Sequence, residues 1–231
     1  AAGLASSASG YAALAAAATR AIGLNLPPEE LSKIARFGSG SACRSVYGGF
    51  VEWQRGSLED GSDSYARQLL DENAWKLTIF SVMVVAGQKR VSSREGMKRT
   101  VETSPFYQGW LSTVDEDMKA AKTAIGNRDF ISLGEVLEQN SLKMHATMLA
   151  AKPAIIYWES GTMEVIHRVQ ELRRDGIAAY FTIDAGPNVK VLCEPGNEDK
   201  VKQALMELGS VQKIITCYPG EGVKYLSEHL I

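Results

Sequence analysis

Eight residues, Gly38-Ser39-Gly40-Ser41-Ala42-Cys43-Arg44-Ser45, carry the densest chemistry in the chain. Glycines alternate with serines, and an arginine follows three residues after Ser41. Glycine lets a backbone come close to a ligand, and hydroxyls and freed N–H groups then face outward. A guanidinium can grip a carboxylate or phosphate with two hydrogen bonds. That is recognition chemistry for a small, multiply charged anion. The same residues also suit a plain Gly/Ser turn ahead of a helix that holds an arginine.

Three other places share this character. Gly3-Leu4-Ala5-Ser6-Ser7-Ala8-Ser9-Gly10 directly precedes a predicted helix. A helix N-terminus offers unpaired N–H groups and a positive dipole end that suit a phosphate. The stretch lacks the lysine of the P-loop pattern, and a capped surface helix is the alternative. Ser92-Ser93-Arg94 stands at another helix start, where simple capping is the alternative. In Phe181-Thr182-Ile183-Asp184-Ala185-Gly186-Pro187-Asn188 a carboxylate ends an apolar strand just before a rigid turn. Asp184 there either caps the turn through its own side chain or acts as a base or orienting group aimed into a cleft. Taken together, the serine-rich helix starts, two arginines and one strand-end aspartate suit a ligand with several phosphates plus a carboxylate. Phosphoryl transfer asks little of a protein beyond positioning, charge neutralisation and one group near the attacking hydroxyl.

Other chemistries find less support. The histidines His145 and His167 fall on predicted helices and read as packing or surface residues, and His229 reads as solvated. No His/Glu spacing points to a protein-built metal site. Neither a Ser-His-Asp hydrolase elbow nor a dinucleotide fingerprint is present. A net charge of −2 over 231 residues leaves no basic surplus for nucleic-acid phosphates. Cys43, Cys193 and Cys217 are odd in number and lack metal-like spacing, which suggests reduced thiols and a cytoplasmic protein. No apolar run reaches the length of a membrane span. At 45% hydrophobic and 23% charged residues, the composition is that of an ordinary globular chain.

The elements that must position these residues follow from periodicity. A helix is predicted from Ser9 or Gly10 to about Ile22, with Tyr11, Leu14, Ala18 and Ile22 near helical spacing. A second runs from Pro28 to about Phe37, with Glu29 and Glu30 in its first turn, and a short helix then carries Arg44. Gly49 to Gln54 alternates like a half-buried strand, and Ser57 to Ser64 reads as a solvated loop. From near Trp75 the pattern gives a strand Leu77 to Val85, then a helix capped by Ser92 and Glu95. Helices from Pro105 to about Ile125, Asp129 to Leu149 and Ser160 to Arg174 follow. Strands Ala179 to Ile183 and Val189 to Cys193 flank the Gly186-Pro187-Asn188 turn. A helix Glu198 to Leu208 and a strand Gln212 to Cys217 close the pattern. Short strands, long helices and hairpin-like returns indicate an α+β class rather than a doubly wound parallel sheet.

On these residues the chain resembles the mevalonate diphosphate decarboxylase family of the GHMP kinase superfamily. Residues Ala1 to Gly10 look like its nucleotide-phosphate loop, and Gly38 to Ser45 with Tyr47-Gly48-Gly49-Phe50 like its substrate loop. Ser93-Arg94-Glu95-Gly96-Met97, Glu102-Thr103-Ser104, Met144-His145-Ala146-Thr147 and Phe181 to Asn188 match its later regions. The resemblance implies a GHMP-kinase-like two-lobed fold, with residues 1–74 as the remainder of an N-terminal ATP-binding lobe and 75–231 as a ferredoxin-like C-terminal lobe. The family's chain begins well before Ala1, so early strands, a tyrosine/lysine substrate motif and much of the adenine pocket are expected to be missing. The strand at Phe50 would then lack sheet neighbours and leave an exposed edge.

The implied reaction is ATP-dependent decarboxylation of mevalonate 5-diphosphate to isopentenyl diphosphate. The resemblance implies Asp184 and Arg44 as catalytic residues, Asp184 beside the tertiary hydroxyl and Arg44 on the substrate carboxylate. It implies Ser39, Gly40, Ser41, Ala42, Cys43, Arg44, Ser93, Arg94 and Met97 around the substrate, with Ser93 and Arg94 at its diphosphate end. Gly3, Leu4, Ala5, Ser6 and Ser7 would meet the phosphates of ATP, and Mg²⁺ would be held mostly by those phosphates and water. A homodimer is the implied assembly, with a small-molecule substrate and neither nucleic acid nor membrane as partner. Decarboxylation of the monophosphate, phosphorylation of mevalonate alone, and an inactive or purely ligand-binding fragment are the alternatives.

Overall fold

The computed structural model describes residues 6–84 and 91–226. They form two compact units, residues 6–76 with 219–226 and residues 77–218. None of the described helices is long and apolar enough to cross a membrane.

The first unit contains α1 (Ser6–Ala21), α2 (Pro28–Gly38), a 3₁₀ helix (Gly40–Val46), β1 (Phe50–Trp53) and β2 (Ala66–Leu70). Helix α1 begins three residues before the expected Ser9, so the serine-rich stretch is itself helical. Its buried face also differs from the expected stripe. Ala8, Ala12, Ala15, Ala16 and Thr19 are buried, whereas Tyr11, Leu14, Ala18 and Ile22 are exposed. The reason is steric. Alanine methyls let α1 lie close on its neighbours, and Ala12, Ala15 and Ala16 share a core with Leu31, Ala35, Ala42 and Val46. Thr19 is admitted because its hydroxyl donates to the Ala15 carbonyl at 2.8 Å.

Strand β1 has a neighbour after all, since it pairs antiparallel with β2. The sequence Ala-Arg-Gln-Leu-Leu of β2 has neither alternation nor β-branched residues, so periodicity did not reveal it. The segment after Pro219 packs in this unit: Gly49 N–H donates to Gly220 O at 2.8 Å and Val223 N–H to Val46 O at 3.1 Å. The approach is close because Gly48 and Gly222 have no side chains. A Cβ on Gly222 would lie 2.4 Å from the Val46 carbonyl oxygen.

The second unit is built on a four-stranded antiparallel sheet of β3 (Thr78–Met83), β4 (Ala179–Thr182), β5 (Val189–Cys193) and β6 (Lys213–Cys217). The strand order β4-β5-β3-β6 places the first strand of the unit beside its third and fourth, the ferredoxin-like arrangement. Between β3 and β4 run α3 (Ser93–Thr103), α4 (Tyr107–Leu111), α5 (Val114–Asn127), α6 (Phe130–Leu149) and α7 (Ser160–Arg174). Helix α8 (Glu198–Met206) joins β5 to β6. Phe80, Val82, Phe181, Val189 and Val191 of the sheet pack on Val165 and Val169 of α7 and on Val201 and Leu205 of α8. The fold is therefore α+β, as the alternation of short strands and long helices indicates.

One expected helix is two. The stretch from Pro105 to Ile125 breaks between α4 and α5, at Ser112 and Thr113. Their hydroxyls donate to the carbonyls of Gly109 at 2.7 Å and Trp110 at 2.9 Å, a local alternative to helix continuation. Val85, at the end of the expected first strand of this half, lies outside the described residues.

The glycines of α5 and α6 give opposite expectations. A Cβ on Gly134 would sit 2.1 Å from the Tyr180 ring, whereas one on Gly126 meets nothing within 4 Å. Gly134→Ala should lower stability by about 1–3 kcal/mol through overpacking, despite alanine's better helix propensity. Gly126→Ala should raise it by up to about 1 kcal/mol. Urea unfolding of both variants checks the pair, and a stabilised Gly134→Ala would contradict the packing described.

Candidate active site

In the first unit, α2 ends at Gly38 and the backbone turns extended at Ser39 (φ −155°, ψ 130°) before the 3₁₀ helix. Ser39 makes no side-chain cap, which leaves its hydroxyl for another partner. The two glycines have packing roles of their own. A Cβ on Gly40 would stand 2.7 Å from the Trp53 indole, and one on Gly38 would stand 2.3 Å from the Tyr11 ring. Ala42 and Cys43 are fully buried, so they offer a ligand only their backbone, and burial pushes the Cys43 thiol up. Arg44 faces the other way. It is exposed, and its guanidinium has no hydrogen bond or ion pair with any described residue.

The residue that fixes this turn is Ser32. It is completely buried on α2, donates to the Cys43 carbonyl at 3.1 Å and accepts the Ala66 N–H at 2.9 Å. One hydroxyl thus ties α2, the 3₁₀ helix beside Arg44, and β2. Ser6 and Ser7 lie exposed in the first turn of α1. Gly3, Leu4 and Ala5 lie outside the described residues, as does His229.

In the second unit, Asp184 stands two residues beyond the end of β4 and its side chain is 75% exposed. The loop after it is fastened at several points. The Asp184 carbonyl meets His145 Nε2 at 2.8 Å, Thr162 Oγ1 donates to the Pro187 carbonyl at 2.7 Å, and Asn188 Oδ1 accepts the Val84 N–H at 3.1 Å. Lys190, opposite Thr182 on β5, pairs with the Asp184 carboxylate. His145 is 3% exposed and lies against the Trp158 ring, with centroids 4.9 Å apart. Burial lowers its pKa, against the raising effect of the Asp184 carbonyl.

Ser93 and Arg94 lie exposed in the first turn of α3, with Met97 a turn further on. Ser92 caps the helix by accepting the Glu95 N–H at 3.2 Å. Tyr157 holds that start in place, donating from its hydroxyl to the Ser92 carbonyl at 3.2 Å. Gly96 makes the approach possible, since a Cβ there would lie 2.3 Å from the Tyr157 oxygen. Val91, just before α3, and Ala185, just after Asp184, pack on one small cluster of Met148, Ala151, Ile155 and Tyr157. The structure thereby brings Ser93, Arg94 and Asp184 around a shared support. Like Arg44, Arg94 has no ion pair with a described residue, while its neighbour Arg99 is tied to Glu95 at 2.5 Å.

Sequence reasoning did not single out Ser32, Thr162 and Lys190, it read Asn188 only as part of a turn, and it took His145 for a packing or surface residue. All but Lys190, which pairs with Asp184 across the turn, act through a backbone group well separated in sequence. The available signal for His145 was its position four residues after Ser141 on a helix that carries few charges.

Two family models match the chain, and the second runs past Pro219 into the segment that packs in the first unit. Residues 1–66 match the diphosphomevalonate decarboxylase-like N-terminal domain, and residues 79–226 match the mevalonate 5-diphosphate decarboxylase C-terminal domain. A diphosphomevalonate decarboxylase of Candida albicans is 38% identical over 224 residues, covering 96% of this chain and 62% of that protein. Among solved structures, MDDEF in complex with MVAPP, AMPPCP and magnesium is 48% identical with a TM-score of 0.87, covering 96% of this chain and 68% of that one. Mevalonate diphosphate decarboxylase from Staphylococcus aureus is 45% identical with the same TM-score, covering 96% and 67%. The chain spans about half to three-fifths of the length of the curated relatives it matches, for instance 48% and 62%.

Two outcomes test the supports. Ser32→Ala should cost about 1–3 kcal/mol in urea unfolding, because it strands the buried Ala66 N–H and removes a bond to the Cys43 carbonyl. His145 gives a pH signature. The fold holds its pKa below the ordinary 6.5, so the unfolded chain takes up that proton first. Its contribution is complete above about pH 6.5 and declines as pH falls below that value. The stability of the wild type minus that of His145→Gln should therefore shrink as pH is lowered from about 7.5 to about 5.5. A pH-independent difference would contradict the buried neutral imidazole.

Proposed function

The chain belongs to the diphosphomevalonate decarboxylase family, and on that premise we propose that it carries out ATP-dependent decarboxylation of mevalonate 5-diphosphate, yielding isopentenyl diphosphate, ADP, phosphate and carbon dioxide. The observation that carries this reading is Asp184, a solvent-facing carboxylate on a backbone held by His145. ATP phosphorylates the tertiary hydroxyl of the substrate, phosphate departs, and the carboxylate leaves as carbon dioxide.

Asp184 sits beside that hydroxyl as general base or orienter. A carboxylate is a weak base for an alcohol, so aligning the oxygen for attack matters as much as removing its proton. The substrate hydroxyl must compete with the Lys190 ammonium for the same carboxylate. That competition is mild, since an exposed ion pair contributes at most about 1 kcal/mol. Arg44 takes the substrate carboxylate, and its lack of an internal partner supports the assignment. A planar guanidinium holds a planar carboxylate through two parallel bonds. Ser39 and Ser41 contact the substrate from the same turn, with Gly40 and the backbones of Ala42 and Cys43. Ser93 and Arg94 take the diphosphate end, where the start of α3 adds N–H donors and the positive end of its dipole. Met97 packs nearby.

Ser6 and Ser7 meet ATP phosphates at the start of α1, continuing Gly3, Leu4 and Ala5. Mg²⁺ accompanies ATP. Among the described residues no group of three or more His, Cys, Asp or Glu could hold a metal ion. No side chain is therefore assigned to the magnesium, whose role is to neutralise the phosphate charge. The three unpaired cysteines support a cytoplasmic setting, and a homodimer is the assembly that accompanies this reading.

The test supplies ATP, Mg²⁺ and mevalonate diphosphate to the 231-residue chain and to a version extended at its N-terminus to the length of its relatives. Carbon dioxide and ADP should appear. No product from either form would refute the decarboxylase reading. In the active form, Asp184→Ala should lower turnover by roughly 10²- to 10⁴-fold, the usual range for loss of a general base. Arg44→Lys, which keeps the charge but loses the fork, should lower kcat/KM by roughly 10- to 100-fold. Full turnover in Asp184→Ala would remove that residue from the mechanism.

A further inference from the structure

Strand β4 is an edge of its sheet, with β5 on one side only. Backbone groups on the other side need partners, and a strand edge without them is costly when buried. Helix α6 supplies those partners through side chains. Glu138 accepts the Phe181 N–H at 2.9 Å. Ser141 accepts the Ile183 N–H at 3.0 Å and donates to the Ile183 carbonyl at 3.0 Å. His145 reaches the Asp184 carbonyl at 2.8 Å.

The three residues form one helical stripe, at spacings of three and four. From Glu138 to His145 the helix rises about 10.5 Å. From Phe181 to Asp184 the chain advances about 10 Å. The two repeats match over this length, so the stripe runs beside the strand as a substitute for a fifth one. Gly134, one turn earlier on the same stripe, admits the Tyr180 ring against the bare helix. Arg173 locks the arrangement from α7, donating to Glu138 at 2.7 and 3.0 Å and to the Ala179 carbonyl at 2.7 Å.

We propose that His145 is a positioning residue for Asp184, the terminal member of an α6 stripe that fixes the backbone from which the carboxylate projects. The proposal rests on the reading of Asp184 given above. A carbonyl can only accept, so Nε2 must carry a proton. Burial favours the neutral ring, which leaves Nδ1 without one. The donor then holds the carbonyl of the same residue whose side chain meets the substrate. An error of about 1 Å in such a group can cost about 100-fold in rate.

The experiment compares His145→Gln with His145→Asn in whichever form of the protein turns over. Glutamine places an amide donor near the position of Nε2, whereas asparagine is too short to reach. His145→Gln should keep kcat within roughly threefold of wild type, and His145→Asn should lose roughly 10- to 100-fold in kcat with KM for both substrates little changed. Equal kcat in the two variants would overturn the proposal, as would a loss confined to KM. Asp184→Asn, measured alongside, separates the two readings. Wild-type turnover there refutes the role of Asp184 itself, while a dead Asp184→Asn beside equal His145 variants refutes only the positioning by His145. A readout independent of turnover is the imidazole resonance of ¹⁵N-histidine-labelled protein. His145 should show a neutral ring with a slowly exchanging proton on Nε2, and a proton on Nδ1 instead would also overturn the proposal.

Discussion

An unfilled strand edge is the constraint around which the second unit is organised. The outward backbone groups of Ala179, Phe181, Ile183 and Asp184 cannot be left without partners next to a packed helix. The solution uses side chains: Arg173, Glu138, Ser141 and His145 satisfy them in order along the strand. This explains why the inward face of α6 carries an acid, a serine and a histidine where apolar residues would be expected. It also explains Gly134, since any side chain there would drive α6 off Tyr180. The end of the stripe coincides with the residue proposed to do chemistry. Groups that close a sheet edge thereby also hold the backbone of Asp184.

The anion-directed groups follow a second rule, that of spare charge. Most arginines of the chain are engaged internally: Arg36 with the Gly61 carbonyl, Arg99 with Glu95, Arg173 with Glu138. Arg44 and Arg94 have no such partner among the described residues; Arg44 sits in the last turn of the 3₁₀ helix and Arg94 in the first turn of α3, segments held by a buried hydroxyl and a tyrosine respectively. Ser32 supports the segment of Arg44 and Tyr157 that of Arg94. Each cation is thus exposed on a rigid base, which reduces the ordering cost of binding a small anion.

Much of this was legible in the sequence. The bounds of α7 came directly from its periodicity, and the turn at Gly186-Pro187-Asn188 from its turn residues. The α+β class followed from the order of short strands and long helices. The serine and arginine motifs stood out because their residue types at close spacing suit an anion, although each also suits a plain turn or a capped helix start. Where the reading failed, short-range rules met long-range packing. Helix α1 buries its alanines because a neighbour presses close, a fact that hydrophobicity cannot register. Gly38 and Gly40 carry a packing role that their pattern does not register, since their bare sides meet Tyr11 and Trp53. The break at Ser112 arises from hydroxyls that compete with the helix. His145 looked like filler because its partner is a backbone carbonyl 39 residues away, which carries no sequence signature.

The most direct test of the account is single-turnover chemistry of Asp184→Ala with ATP and mevalonate diphosphate labelled at its carboxyl carbon. If Asp184 serves the hydroxyl during phosphoryl transfer, that step precedes loss of the carboxylate. Formation of ADP and release of labelled carbon dioxide should then slow together, by one common factor. Formation of ADP at the wild-type rate with carbon dioxide release alone impaired would contradict the account.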